Sequence, residues 1–212
     1  GSVEGNNDAV GGLIGTNEGS VDSSYAAAEI EGDENVGGLI GENAGPVRAS
    51  FAAGEVTGGE TVGGLVGVNE DAVNDAYATT AVEGNEIVGG LIGENSGTVE
   101  TSYAAGPVDG EEAIGGLFGE NGGIVGDAYW NVHTTGQRSA AAGADDGDGT
   151  GLAPTELTGE NVTTTTELDF ESTWNATEAY PRLQLESDRY VPSSAYDVPV
   201  DGEFPSEKSS SD

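Results

Sequence analysis

Hydrophobic and polar positions repeat along the first two thirds of the chain with a fixed period of 26 residues. Each period opens with Val or Ile, Gly-Gly-Leu, a hydrophobic residue, Gly, any residue and Asn. The five copies begin at Val10, Val36, Val62, Val88 and Ile114. A fixed period of this size is typical of arrays in which each unit buries its apolar face against its neighbours. The pattern therefore predicts a scaffold surface rather than a catalytic cleft.

Stacking the five periods aligns equivalent residues into columns. The three clearest columns are Leu13, Leu39, Leu65, Leu91 and Leu117; Asn17, Asn43, Asn69, Asn95 and Asn121; and Tyr25, Phe51, Tyr77, Tyr103 and Tyr129. We expect the leucine and aromatic columns to pack as core, and each asparagine to bond to the coils above and below. The alternatives are a ligand-binding ladder for the asparagines and a carbohydrate platform for the aromatic rings.

Each period contains three short apolar stretches separated by Gly, Asn and acidic residues, which is typical of strands. No period has an apolar stripe at helical spacing long enough for a helix of about 10 residues. The pattern predicts an all-β fold, a β-solenoid of about five 26-residue coils with three short strands in each coil. Neighbouring coils should then lie about 4.8 Å apart, the ordinary spacing of paired strands.

The period divides the chain into three regions: β-solenoid repeats (1–136), a C-terminal capping region (137–186) and an extended tail rich in Pro, Ser and acidic residues (187–212). Solenoids need capped ends, and eight large apolar residues are expected to cover the last coil: Leu152, Leu157, Leu168, Phe170, Trp174, Tyr180, Leu183 and Leu185. The tail is expected to be a linker, or to donate Tyr190–Val200 as a strand to a neighbour.

The N-terminal end of the array differs from the C-terminal end, because residues 3–5 match only the closing stretch of a repeat. An open sheet edge invites pairing with another chain. Two explanations stay open: further coils precede this sequence in the native protein, or the edge is an assembly surface. Because the chain starts at Gly1 rather than Met, we expect a processed or excised piece.

Acidic residues dominate the charge: 39 Asp and Glu against 5 Lys and Arg give a formal net charge of −34. Such a charge opposes compaction unless salt screens it, and at about 1 M salt the Debye length is about 3 Å. The composition therefore indicates a halophile, with an archaeon expected, and a solvated acidic face at Glu31, Glu34, Glu60, Glu86 and Glu112. Intrinsic disorder is the alternative, but the regular apolar columns argue against it.

The same charge excludes several partners. No basic patch is present to neutralise nucleic-acid phosphates or anionic lipid headgroups. No apolar run approaches the about 20 residues of a membrane-spanning helix, so direct membrane insertion is not expected. Cysteine is absent, so no disulfide indicates the compartment.

One acidic loop resembles a calcium site, since Asp146, Asp148 and Thr150 place oxygen donors at alternate positions beside glycines. The twelfth position from Asp146 is Leu157, so the bidentate Glu of a complete calcium loop is missing. Ca²⁺ is the one cofactor that the sequence suggests, and the alternative is an ordinary acidic loop.

Two sequons for N-glycosylation begin at Asn161 and Asn175, both in the capping region. Catalytic groups are scarce by comparison. His133 is the only histidine, and no Cys or Gly-x-Ser-x-Gly nucleophile motif exists. The remaining basic candidates, Arg48, Arg138, Arg182 and Arg189, are dispersed. We therefore expect no enzymatic activity.

The repeat, followed by its Val and its Ser-Tyr-Ala, resembles the GLUG repeat of bacterial and archaeal surface proteins and adhesins. The end of the array is similar too, with the matching segments 129–131, 135–137, 149–152, Phe170, Trp174 and 180–183. The acidic insert 144–147 departs from that ending. The resemblance covers about residues 3–185 and implies an exported β-solenoid, often one piece of a larger surface protein, with no single activity.

Three hypotheses follow. The first is a non-enzymatic, extracellular structural or adhesive module of a halophile cell surface, whose partners are other surface proteins, glycans or copies of itself. The second is a subunit of an extracellular filament or virus particle that assembles through the open edge and the tail. The third is a carbohydrate-active enzyme, which would need a pocket that gathers carboxylates with an arginine.

Overall fold

The computed structural model describes residues 1–6, 8–142 and 148–188. Over this part the chain winds into a parallel β-solenoid of about five turns, with about 26 residues in each turn. The predicted fold class is therefore confirmed. Equivalent residues of successive coils are paired directly, as in Val10 opposite Val36 and Asn17 opposite Asn43.

The first three coils contain β1 (Ser2–Glu4), β2 (Ala9–Gly11), β3 (Ile14–Asn17), β4 (Val21–Asp22), β5 (Tyr25–Glu31), β6 (Asn35–Gly37), β7 (Ile40–Asn43), β8 (Val47–Arg48), β9 (Phe51–Thr57), β10 (Thr61–Gly63), β11 (Val66–Asn69), β12 (Ala72–Asn74), β13 (Tyr77–Ala78) and β14 (Ala81–Glu83). The remaining coils contain β15 (Ile87–Gly89), β16 (Ile92–Asn95), β17 (Thr98–Glu100), β18 (Ser102–Ala104), β19 (Val108–Asp109), β20 (Ala113–Gly115), β21 (Phe118–Asn121), β22 (Ile124–Val125), β23 (Ala128–Asn131) and β24 (Thr150–Leu152).

In the described residues, four parallel sheets, rather than three, run along the solenoid. Sheet 1 contains β2, β6, β10, β15 and β20; sheet 2 contains β3, β7, β11, β16 and β21; sheet 3 contains β4, β8, β12, β17 and β22; sheet 4 contains β1, β5, β9, β13, β14, β18, β19, β23 and β24. The prediction of three strands in each coil was wrong because the Gly-Gly-Leu stretch is a corner. At Gly63, the last residue of β10, an added Cβ would overlap the carbonyl oxygen of Val66 in β11.

The corner between sheets 3 and 4 has a left-handed residue in four coils. These residues are Ser23, Ala49, Asp75 and Thr101, with φ of 53°, 46°, 51° and 47°. None is glycine, although a left-handed conformation costs an L-residue about 1–2 kcal/mol. The corner is held across coils by backbone bonds, such as Ala49 N–H to the carbonyl of Asn74 at 3.2 Å.

Buried side chains form three clusters. The largest contains the buried leucines of the leucine column with the first hydrophobic residues of sheet 2, the valines of sheet 3, and Ala52, Ala78 and Ala104 of sheet 4. A second cluster joins the valines of sheet 1 to Ile30, Val56, Val82 and Val108. The third contains the aromatic column and the C-terminal part of the chain.

The C-terminal region lies along sheet 4 rather than only over the last coil. It contains α1 (Pro154–Leu157), a 3-10 helix (Gly159–Asn161), α2 (Val162–Thr165), the antiparallel pair β25 (Trp174–Asn175) and β26 (Arg182–Leu183), and a 3-10 helix (Gln184–Asp188). We call residues 152–186 the cover. The eight apolar residues expected to cap the last coil all belong to the cluster that packs on the aromatic column.

Candidate functional site: side-chain columns and their cover

The asparagine column forms a continuous hydrogen-bonded ladder. The Nδ2 of each asparagine donates to the Oδ1 of the next asparagine along the chain, in the order Asn17, Asn43, Asn69, Asn95 and Asn121, at 2.7–2.8 Å. Four of these side chains are nine-tenths or more buried, and Asn121 is half-buried. The predicted bonding between coils is confirmed, and these amides are occupied in holding the coils together.

Asp148 ends the ladder. The Nδ2 of Asn121 donates to Oδ1 of Asp148 at 2.8 Å, so a carboxylate stands where a sixth asparagine would be. The backbone around it also continues the winding, since β24 pairs with β23 and the N–H of Leu117 donates to the carbonyl of Ala140 at 2.9 Å. Because an ionised carboxylate accepts but does not donate, Asp148 can take the last amide donor without leaving another unpaired.

The aromatic column is a stack of nearly parallel rings. The ring centroids of Tyr25, Phe51, Tyr77 and Tyr103 are 5.1, 4.7 and 5.1 Å apart, with interplanar angles of 8° or less. Adjacent residues such as Ala52 and Ala78 belong to the largest core cluster. Since side chains alternate along a strand, the rings face the other way, toward the cover.

The cover buries this column. The Trp174 ring lies 6.0 Å from that of Tyr77 and 5.7 Å from that of Tyr103, both tilted by about 50°. Three hydroxyls bind the cover: Tyr129 accepts from the N–H of Glu167 (2.8 Å), Tyr103 donates to the carbonyl of Pro181 (2.6 Å) and Tyr77 donates to Glu186 (3.0 Å). Burial raises the pKa of Tyr129. The expectation of core packing is confirmed, and the covered faces do not form a carbohydrate platform.

Carboxylates form a column of their own on the turn that precedes sheet 1. Asp8, Glu34, Glu60, Glu86 and Glu112 occupy equivalent positions, and all are exposed. The carbonyl of a member accepts from the residue that follows the next member, as from the N–H of Thr61 to the carbonyl of Glu34 at 2.9 Å. The neighbouring charges, Asp8 first and then Glu60, raise the pKa of Glu34. All five residues of the predicted acidic face are exposed, but Glu31 lies at the end of β5 in sheet 4 and outside this column. The column itself is self-repelling.

Basic groups lie on separate elements. Arg48 in β8 is 3.5 Å from Asp75, and its own side chain is 66% exposed. Arg182 lies in β26, whereas Arg138 follows β23 and is exposed. His133 is an exposed turn residue. Arg189 lies outside the described residues.

The expected calcium loop is only partly described. Asp146 lies outside the described residues, Asp148 is bonded to Asn121, and Thr150 begins β24. No group of three or more His, Asp or Glu residues suited to a metal ion occurs within the described ranges. Calcium binding stays a prediction.

The two sequons lie in different surroundings. Asn161 and Asn175 are both exposed, but Asn161 sits where the 3-10 helix meets α2, and Asn175 lies in β25. The residue after Asn161 is the fully buried Val162, whereas the residue after Asn175 is the exposed Ala176.

The N-terminal end leaves part of the stack uncovered. Strand β1 pairs with the end of β5, Val3 opposite Ile30, as the sequence match predicted. Leu13 is 50% exposed, while Leu39, one coil further on, is fully buried. The proposed donor segment, Tyr190–Val200, lies outside the described residues, so its pairing stays a prediction.

Comparison of the chain with protein-family models, curated proteins and solved structures gave no match. The resemblance to the GLUG repeat therefore rests on the sequence motif alone. In the described part of the chain, no helix has the length and apolar character needed to cross a membrane.

Proposed function

We propose that the protein is a non-enzymatic structural or adhesive module of a halophile's extracellular surface. The observation that carries the proposal is the asparagine ladder ended by Asp148, because these regularly placed polar side chains bond to one another from coil to coil. Such bonding supports a structural role for the column. The aromatic rings are likewise buried beneath the cover. The regular features of the repeat thus support a rigid rod.

The outer surface supports the proposed salt-rich location. The column of exposed carboxylates repeats at the spacing of the coils, and the chain has only 5 Lys and Arg to offset its 39 Asp and Glu. At about 1 M salt and above, the Debye length is about 3 Å or less, which is shorter than the spacing between coils of about 4.8 Å. Hydrated carboxylates then keep the rod soluble without driving it apart.

The test is saturable binding of the full chain to cell envelopes of halophilic archaea in multimolar salt. The chain can be labelled at its few amines, and envelopes treated with periodate show whether surface glycans are the ligand. An equally acidic, unfolded polypeptide is the matched control. Binding that saturates for the folded chain alone supports an adhesive module, and binding equal to the control contradicts it.

A second candidate is an assembly subunit, in which a strand of a neighbouring copy would cover the half-exposed Leu13. Light scattering after size exclusion in multimolar salt, on residues 1–212 and 1–186, separates it from the first. Polymers that disappear with the tail support strand exchange between copies. A monomer in both cases supports a module that acts singly.

A further inference from the structure

We propose that Asn175 is an N-glycosylation site and that Asn161, which has the same sequence motif, is not. This inference rests on the extracellular location in the proposed function. Both asparagines begin an Asn-x-Thr triplet, so the motif alone does not separate them. The surroundings of the two triplets do.

The triplet at Asn161 is fixed by its local structure. The Nδ2 of Asn161 donates to the carbonyl of Thr155 at 3.0 Å, so the reactive nitrogen is engaged. The backbone of Asn161 is helical, with φ −63° and ψ −32°. The middle residue, Val162, is fully buried in the cluster between cover and aromatic column. An acceptor triplet held in this way enters a transferase cleft only if α2 leaves the core.

The triplet at Asn175 is presented outward. Asn175 follows Trp174, and because side chains alternate along a strand, the buried Trp174 turns Asn175 toward solvent. Ala176 is exposed as well. Within the described part of the chain, the Asn175 side chain makes no hydrogen bond. The hydroxyl of Thr177 donates to the carbonyl of Tyr180 at 2.8 Å, which closes a surface turn beside the acceptor.

The donor for such a site is a glycan linked to a polyprenyl phosphate or diphosphate, used by a transferase of the host. The Nδ2 of Asn175 forms a bond to the anomeric carbon of the first sugar, and the bond from that carbon to the phosphate oxygen breaks. The polyprenyl phosphate, or the diphosphate where that is the donor, leaves with the electron pair, and Nδ2 gives one proton to a base of the transferase. Each chain therefore gains one glycan on the outward face of the cover.

The test expresses the full chain behind a secretion signal in a halophilic archaeon that glycosylates its own surface proteins. Cleavage of the secreted chain after glutamate separates the two sites, since Asn161–Glu167 and Ser172–Glu178 are different peptides. We expect the glycan on the second peptide and none on the first. Asn175→Gln should remove the whole glycan mass, and Asn161→Gln should leave it unchanged.

Two results overturn the inference. The first is a Ser172–Glu178 peptide without glycan, obtained from secreted chain while the host's own glycoproteins carry theirs. The second is a glycan on Asn161–Glu167. Thr177→Ser, which keeps the hydroxyl, should retain the glycan, whereas Thr177→Val should lose it. Envelope binding of the same secreted chain is measured separately. Failure of that binding would therefore bear on the proposed function and not on the glycosylation site.

Discussion

The side-chain amide of Asn121 donates to the carboxylate of Asp148 at 2.8 Å, and this contact ends a ladder that begins at Asn17. In all five contacts the donating Nδ2 belongs to the residue earlier in the chain, and the accepting oxygen belongs to the residue one coil later. The ladder thus needs an acceptor at its C-terminal end, and Asp148 supplies one at a separation of 27 residues instead of 26.

Substitutions of Asp148 should separate the need for an acceptor from the need for a charge. Asp148→Ala leaves the amide of Asn121 without its partner, and we expect the free energy of unfolding to fall by about 1–2 kcal/mol. Asp148→Asn keeps an acceptor oxygen, so its free energy of unfolding should fall by less than half as much. Urea denaturation in multimolar salt measures both. Equal losses for the two variants would show that the charge, and not the acceptor, matters.

The centre of the ladder should tolerate change least. Asn69 is fully buried, accepts from Asn43 and donates to Asn95 and to the carbonyl of Asp71. Asn69→Ala leaves several buried groups unpaired, and we expect a loss of about 3 kcal/mol in the free energy of unfolding. The matched control is Asn85→Ala on an exposed turn, which should change it by about 0.5 kcal/mol or less. Similar losses at the two positions would contradict the structural role of the ladder.

Replacing alanine by glycine should change the stability in opposite directions at the left-handed corner and inside a strand. Ala49 has φ +46°, so Ala49→Gly relieves strain that exceeds the extra flexibility of glycine, and we expect a gain of about 0.5 kcal/mol. Ala27→Gly, inside β5, should instead cost about 1 kcal/mol. Thermal unfolding of both variants against the wild type measures the difference. A loss at both positions would mean that the corner stores no strain.

The carboxylate column links stability to pH and salt. The pKa of Glu34 is raised in the folded chain by Asp8 and Glu60, so its ionised form is disfavoured there. Ionised Glu34 therefore destabilises the fold above the raised pKa, and that effect disappears as the pH falls below the ordinary value. The pKa of Asp169 is shifted in the opposite direction, because the hydrogen bond from the Ser172 hydroxyl lowers it. Ionised Asp169 therefore contributes stability that is lost as the pH falls through the lowered pKa.

We expect Glu34→Gln to raise the melting temperature at neutral pH in the lowest salt concentration that still gives a cooperative melt, and to leave it almost unchanged in multimolar salt. Glu160→Gln, at an exposed position outside the column, is the control and should have little effect in either solvent. If Glu34→Gln gave the same shift in both solvents, repulsion along the column would not be its cause.

The repeat made the stacked columns predictable from sequence, because every coil offers the same residue at the same spacing. Asn69 and Tyr77 could be placed opposite Asn95 and Tyr103 without coordinates. The left-handed corner could not be found this way, since Ala49 is not a residue that signals such a turn.

The position of the cover could not be predicted from the sequence, for a different reason. Its contacts join residues far apart in the chain, such as Tyr77 and Glu186, separated by 109 positions. No period relates the cover to the column, so apolar composition predicted a cap but not its position along sheet 4. Asp148 could have been found by extending the asparagine spacing one coil further with one extra residue.

The central claim, that the fold of this solenoid depends on a salt-rich solvent, is tested most directly by thermal melts of the full chain followed by far-ultraviolet circular dichroism. Melts in about 0.1 M and about 3 M KCl compare weak with strong screening. We predict a cooperative β-sheet transition at the higher concentration, and a transition that is much lower in temperature or absent at the lower one. Identical cooperative melts in both solutions would contradict the account.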